Sequence, residues 1–182
     1  MNESRFGVRP ALKEDLPEIM KIYAAARKFM AEHGNPRQWG ATNWPPEALI
    51  RKDIAEGKSF VLEYAGEEGG SAGEKRITAV FFYDFGKDVE PCYLDIREGS
   101  WVGDGTYGVV HRIASDGTVR GSGAYCIDWA FRQCGHLRMD THGDNTVMQN
   151  LLRKLGFVRC GTIYVEEDND PRIAYEKTGD AE

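Results

Sequence analysis

The 182-residue chain is poor in cysteine, with four in all: Cys92, Cys126, Cys134 and Cys160. No two of them form a CxxC pair, and no clustered ligand set suited to a metal appears, so no metal site is expected. The thiols read as small apolar core residues, with Cys126 and Cys134 on the buried side of one helix. No apolar run approaches the roughly 20 residues of a membrane-spanning helix, so no membrane role is expected. The opening MNESRFGVRP lacks the apolar centre of a signal peptide, which makes the cytoplasm the expected location. Acidic residues outnumber basic ones, 29 to 23. The net charge of −6 argues against nucleic acid as a partner and suits a cationic substrate such as an amine. There are no internal repeats, and no Gly-Lys-Ser or Gly-Lys-Thr completes a P-loop.

What remains is an ordinary globular composition, 41% hydrophobic and 29% charged, long enough for one domain over residues 1–182 with one sizeable core. Residues 5–9 read as a short extended opening. Asp15 reads as a cap for a helix to about residue 30, with Leu16, Ile19, Met20 and Tyr23 at helical spacing. Residues 33–46 are loop, and Glu47–Ala55 is a second helix stopped at Gly57. Strands are expected at 59–64 and 77–83, with a flexible charged loop between them, and an irregular segment follows over 84–105. A β-branched and aromatic strand covers 106–114. A Gly-rich turn then opens a helix to about residue 134, followed by a strand at 137–141. A helix from Asn145 carries Met148, Leu151, Leu152 and Leu155 on one face. Closing strands lie at 157–165 and 172–176. This order describes an α/β sandwich with a mixed sheet. The edge near 172–177 could pair with a second copy to make a homodimer.

Two segments carry chemistry. In HRIASDGTVRGSGAY, residues 111–125, a strand ends in a turn and glycines open a helix. Free N–H groups and the helix dipole gather at such a start and suit a phosphate or pyrophosphate. Gly121 and Gly123 let it approach the backbone, and Arg120 adds a charged contact. Helix capping is the alternative reading of the same turn. The second segment is RMDTHGDNTVMQNLLRKLGFVRCGTIY, residues 138–164. The two together resemble the GNAT (GCN5-related N-acetyltransferase) superfamily over nearly the whole chain. Arg120, Gly121, Ser122 and Gly123 match the first four positions of its Q/R-x-x-G-x-G/A signature, with Ala124 and Tyr125 completing the six. Asn145, Leu151, Lys154, Gly156 and Phe157 fall in register with its later signature.

The resemblance implies a GNAT-type α/β fold, a mixed, splayed central sheet of about 6–7 strands flanked by helices. It implies acetyl-CoA as the acetyl donor. The strands at 106–114 and 137–141 would be parallel neighbours that part, leaving backbone groups to hold the pantetheine arm. Backbone at Ile113, Ala114 and Ser115 would serve this role, with Asn145 contacting the arm from the next helix and the turn 120–125 holding the pyrophosphate. Two departures stand out. Tyr125 occupies a position usually Gly or Ala, and Leu152 occupies the place of the family's general-acid tyrosine.

Acetyl transfer needs a polarised thioester, a neutral attacking amine and a proton for the leaving thiolate. For the base His111 is the first candidate, matching the place of a proton-relay histidine in arylalkylamine acetyltransferases, a distant branch. By strand alternation its side chain faces the same way as those of Val109 and Ile113. An imidazole titrates near pH 6.5 and can take a proton near neutrality. A hydrogen-bonded strand histidine is the other reading. His142 lies at a strand end, where ligands sit in open α/β sheets, or pairs with turn backbone. Tyr164 and Tyr125 are candidate acids or structural tyrosines. Cys160 has no neighbouring base to make it a nucleophile. Trp39, Trp44, Tyr93 and Trp101 either line an acceptor pocket or form a satellite cluster. Asp140 and Asp144 flank the candidate active edge or cap the helix from Asn145. The acceptor stays open between a small-molecule amine and a protein amine, and a non-catalytic acetyl-CoA sensor is a third reading.

Overall fold

A computed structural model describes residues 5–40, 42–68, 71–165 and 170–179. Its hydrogen-bonded strands form one seven-stranded mixed sheet in the order β1-β2-β3-β4-β5-β7-β6. In chain order these are β1 (Phe6–Pro10), β2 (Ser59–Glu68), β3 (Ser71–Gly86), β4 (Tyr107–Ser115), β5 (His136–His142), β6 (Val158–Tyr164) and β7 (Pro171–Thr178). The α-helices among the described residues are α1 (Leu16–Glu32), α2 (Glu47–Ala55), α3 (Ser122–Cys134) and α4 (Thr146–Lys154). None is long and apolar enough to cross a membrane. Contacts divide the chain into two compact units, one of Met1–Phe82 with Arg112–Cys126 and one of Tyr83–His111 with Ile127–Glu182.

The first unit is built on an antiparallel meander. β1 pairs with β2, and β2 pairs with β3 through Phe60–Phe81, Val61–Val80 and Leu62–Ala79. α1 buries Leu16, Ile19, Ile22, Tyr23 and Ala26, the spacing of one helical face. That face packs with Trp39, Ile50, Val61, Val80 and Ala114 into one core, and Trp44 leans against it. Trp39 and Trp44 therefore belong to a hydrophobic core. Asp15 precedes α1 but makes no side-chain cap to it. Its carboxylate instead accepts from Leu12 N at 2.7 Å and from both Arg9 Nη atoms at 2.7 and 3.0 Å. Arg9 offers two charged donors, a stronger partner than a helix N–H. The charged segment expected as a loop is largely strand. Pairing continues to Glu67–Ala72 and Glu68–Ser71, because ladder hydrogen bonds satisfy the backbone whatever the side chains' polarity.

The second unit holds β5, β6 and β7. β5 and β7 pair antiparallel from His136–Thr178 to His142–Arg172, and β6 pairs with the other side of β7. Thus β7 is an interior strand. The edges are β1 and β6, so the expected docking edge at 172–177 is already occupied. The irregular segment after β3 is pinned to β6. Arg97 and Thr162 exchange two backbone hydrogen bonds of 2.8 Å, and Gly99 lies so close to the Cys160 carbonyl that a Cβ there would collide with it.

Candidate active site

The turn between β4 and α3 belongs to the first unit. Asp116 Oδ1 accepts from Thr118 N at 2.9 Å, and Arg76 clamps the turn through Asp116 Oδ2 at 3.0 Å and Thr118 Oγ1 at 2.8 Å. Gly121 has φ 91°, a left-handed geometry that a side chain would strain. Ser122 is buried and its hydroxyl donates to the Val119 carbonyl at 2.9 Å. α3 then begins, and Gly123, Ala124 and Tyr125 form its first turn. The N–H groups of such a turn lack intrahelical acceptors and carry the positive end of the helix dipole. Tyr125, the bulky departure from the signature, turns its ring onto Phe6 at 4.8 Å. Arg120 is exposed at the mouth of the turn.

β4 itself is interrupted. Its ladder with β5 is parallel and, among the described residues, two pairs long: Gly108–Leu137 and Val109–Arg138. Arg112 then adopts φ 51°, a left-handed conformation that costs about 1–2 kcal/mol for a residue with a side chain. Three contacts in the first unit hold it there. The Tyr23 hydroxyl donates to the Arg112 carbonyl at 2.9 Å. The Arg112 guanidinium donates to buried Asp53 at 3.0 and 2.9 Å and lies 4.4 Å from the Phe82 ring centre. The left-handed residue bends the backbone of β4. Strand alternation therefore does not carry from His111 across to Ile113. Ala114 is buried in the core, while Ile113 and Ser115 are half-buried.

His111 sits in the second unit among groups that no sequence motif gathered. Its Nε2 is 2.9 Å from Glu90 Oε2, and its Nδ1 is 3.8 Å from Asp140 Oδ1. The buried Tyr93 donates its hydroxyl to the same Asp140 oxygen at 2.7 Å, with its ring 6.0 Å from the imidazole. Burial opposes ionisation of Glu90, but the close His111 imidazole and its charge, with help from Cys92, hold the carboxyl below its usual range. Burial and the Asp140 charge push the Tyr93 phenol well above its ordinary value, so it remains a donor. The Nε2–Glu90 approach is an ion-pair distance without hydrogen-bond alignment, so it fixes no tautomer, and each ring nitrogen faces a carboxylate. At 3.8 Å, Nδ1 is too far from Asp140 for a direct hydrogen bond. A proton arriving there would have a carboxylate beside it.

The other expected residues have different partners. His142 is buried, accepts from Asp144 N through Nδ1 at 3.1 Å, and stands 3.6 Å from both Asp144 Oδ2 and Asp170 Oδ2. Asn145 caps α4 by accepting from Met148 N at 3.1 Å, so the cap is Asn145 rather than Asp140 or Asp144. Tyr164 ends β6, is exposed, and lies under the Arg97 guanidinium at 5.0 Å. Leu152 is fully buried and supplies no proton. Burial and the adjoining Glu176 push the Cys160 thiol up to about 11, which removes it as a nucleophile at neutral pH. Trp101 donates to the Tyr93 carbonyl at 2.8 Å and so braces the tyrosine beside His111.

Glu90 is the site residue that the sequence reading missed, and Tyr93, read there as a pocket or cluster aromatic, instead anchors Asp140 beside His111. Both lie in the irregular segment, where no periodicity marks which side chains turn inward. The one available signal was a tyrosine and a carboxylate three residues apart in a loop.

No protein-family model and no curated protein matches the chain. Among solved structures it is similar to an acetyltransferase of the GNAT family from Streptococcus agalactiae, with 29% identity over 97% of this chain and 96% of that one and a TM-score of 0.76. GNAT-family acetyltransferases from Listeria monocytogenes (17% identity, 94% of each chain, TM-score 0.64) and Bacillus cereus (19%, 96% and 97%, TM-score 0.56) share the fold. With the interrupted β4, the glycine turn into α3 and this likeness together, the chain belongs to the GNAT acetyltransferase superfamily.

Proposed function

We propose that this protein is an N-acetyltransferase that moves an acetyl group from acetyl-CoA directly to an amine, with a small molecule as acceptor. The observation that carries this is the His111 cluster, an imidazole with Glu90 beside Nε2 and a Tyr93-anchored Asp140 on the Nδ1 side. Acetyl-CoA would supply the activated thioester. The residues fit it: Gly121 is left-handed, Arg120 is exposed, Tyr125 is turned away onto Phe6, and among the described residues the β4–β5 ladder is the pairs Gly108–Leu137 and Val109–Arg138. Arg120, Gly121, Ser122, Gly123, Ala124 and the backbone of Tyr125 would hold the pyrophosphate. The backbone of Ile113, Ala114 and Ser115 would hold the pantetheine arm.

The chemistry asked of the chain is then small. The backbone at the Arg112 bend polarises the acetyl carbonyl. His111 takes the proton that the amine nitrogen sheds as it forms the new C–N bond, and Asp140 stabilises the imidazolium. The C–S bond breaks, and the proton on His111 returns to the thiolate. One group thus serves both ends of the reaction, which accounts for a leucine at position 152. Proximity supplies much of the rate, since orientation of two reactants is worth about 7–11 kcal/mol.

A buried leucine in place of an acid also favours a second reading, an acetyl-CoA sensor without turnover. Thiol release from acetyl-CoA with a panel of amines and of lysine peptides separates the two. Turnover with small amines is expected. Turnover with peptides alone would move the acceptor to proteins. Tight binding without turnover would leave the sensor, and no binding at all would refute the family function here.

A further inference from the structure

Two helices of the first unit direct buried polar side chains at a single residue of β4. α1 contributes Tyr23, 1% exposed, whose hydroxyl donates to the Arg112 carbonyl at 2.9 Å. α2 contributes Asp53, 4% exposed, whose Oδ2 accepts from Arg112 Nε at 3.0 Å and lies 2.9 Å from Arg112 Nη2. Ile50 and Asp53 are the buried residues of α2. They stand one turn apart on one helical face, so the carboxylate takes a place where a second apolar side chain would pack.

A buried ion pair adds little net stability, because desolvation offsets most of the attraction and an apolar replacement of similar shape is often no worse. Burial pushes the Asp53 carboxyl above its ordinary value even with Arg112 beside it, so the fold works against its charge at neutral pH. What the pair adds is one fixed geometry. The guanidinium lies 4.4 Å from the Phe82 ring centre, and Tyr23 holds the carbonyl of the same residue. Side chain and backbone of Arg112 are thus both tied down while φ stays at 51°.

We propose that Asp53 and Tyr23 are positioning residues for acetyl transfer, holding the Arg112 backbone in the left-handed form in which it meets the thioester carbonyl. This rests on the acetyl-CoA reading above and adds to it two residues that act through Arg112. Without the clamp, a residue with a side chain disfavours that φ by about tenfold, whereas glycine adopts it freely.

Two double variants separate backbone geometry from packing. Asp53→Asn/Arg112→Gly and Asp53→Asn/Arg112→Ala both delete the ion pair and the Phe82 contact without stranding a buried charge, and they differ in the freedom of one φ. The alanine form is expected to have a kcat about tenfold below the glycine form. KM for acetyl-CoA should agree within about twofold, because a contact made in the transition state shows in kcat. Tyr23→Phe should lower kcat by about fivefold at unchanged KM, one lost hydrogen bond. The infrared stretch of acetyl-CoA isotope-labelled at the thioester carbonyl reads the same contact without turnover. It is expected at lower frequency on the wild type and the glycine form than on the alanine form. Equal kcat and equal carbonyl frequency in the two double variants, whatever their melting temperatures, overturn the proposal and leave the acetyltransferase reading standing. If neither double variant folds, a Tyr23→Phe protein with wild-type kcat and carbonyl frequency overturns it instead. A wild type that binds acetyl-CoA with the lowered frequency but acetylates no amine ends the enzymatic reading, and loss of that lowering in the alanine form still upholds the clamp. Failure of acetyl-CoA to bind the wild type removes both.

Discussion

Replacing Glu176 by glutamine tests the packing that holds the loop at Val102 and Gly103. Glu176 is fully buried in β7. It accepts from His136 Nε2 at 2.6 Å, Arg138 Nε at 2.8 Å, Gly103 N at 3.3 Å, and from Val102 N in a very short contact. Arg138 is stacked between Trp101 at 4.3 Å and Tyr107 at 4.1 Å, and donates to the Gly103 carbonyl at 2.6 Å. Glu176→Gln keeps the shape but leaves the Arg138 charge buried without its counter-charge. Breaking one side of a buried ion pair costs about 3–5 kcal/mol. With a urea m-value of about 1–3 kcal/mol/M, the unfolding midpoint at neutral pH should fall by more than about 1 M. The pH dependence fixes the cause. Burial opposes ionisation of Glu176, but His136, Arg138 and the Val102 N–H outweigh it and hold the carboxyl below its ordinary value of 4.5. A depressed carboxylate stabilises the fold above that ordinary value, and the contribution is lost as pH falls through its own lower pKa. The gap between wild type and variant should therefore be full at neutral pH and narrow below about 4.5. A midpoint shift worth less than about 1 kcal/mol, or a gap that does not change in acid, would refute the reasoning.

Three further outcomes follow from the site. His111→Ala should lower kcat by about 10²–10⁴-fold with little change in KM for acetyl-CoA, and an unchanged pH–rate profile would remove His111 as the base. Tyr93→Phe frees Asp140 and should lower kcat by about tenfold, one lost hydrogen bond to a charged group, and shift the pH–rate profile; a thermal melt without a rate change would make Tyr93 purely structural. Gly99→Ala sets a Cβ against the Cys160 carbonyl, an overpacking worth about 1–3 kcal/mol, and a stability equal to wild type would show that the loop sits away from β6.

Local pattern was enough for most of the elements. α2 is Glu47–Ala55 as the apolar spacing indicates, α1 differs by two residues at its end, and β4 and β5 each differ by one. Their buried stripes repeat at fixed intervals, and a repeat is visible in one dimension. The parallel β4–β5 pairing came from family resemblance, as did the assignment of the turn at Gly121. Three features were legible to neither. The charged stretch between Tyr64 and Ile77 became ladder at the ends of β2 and β3 because backbone pairing outweighs side-chain polarity. β7 lies between β5 and β6, and strand order is decided by which faces pack, not by position along the chain. Glu90, Tyr93 and Asp140 meet His111 only in the folded unit.

The sequence by itself determined the helices, the strands near the core, the glycine turn and the family, because periodicity and short motifs act over a few residues. Tertiary structure alone decided the partners of His111, the left-handed bend at Arg112 and its clamp of Tyr23 and Asp53. Each of these brings together residues far apart in the chain, whose meeting depends on how separate elements pack.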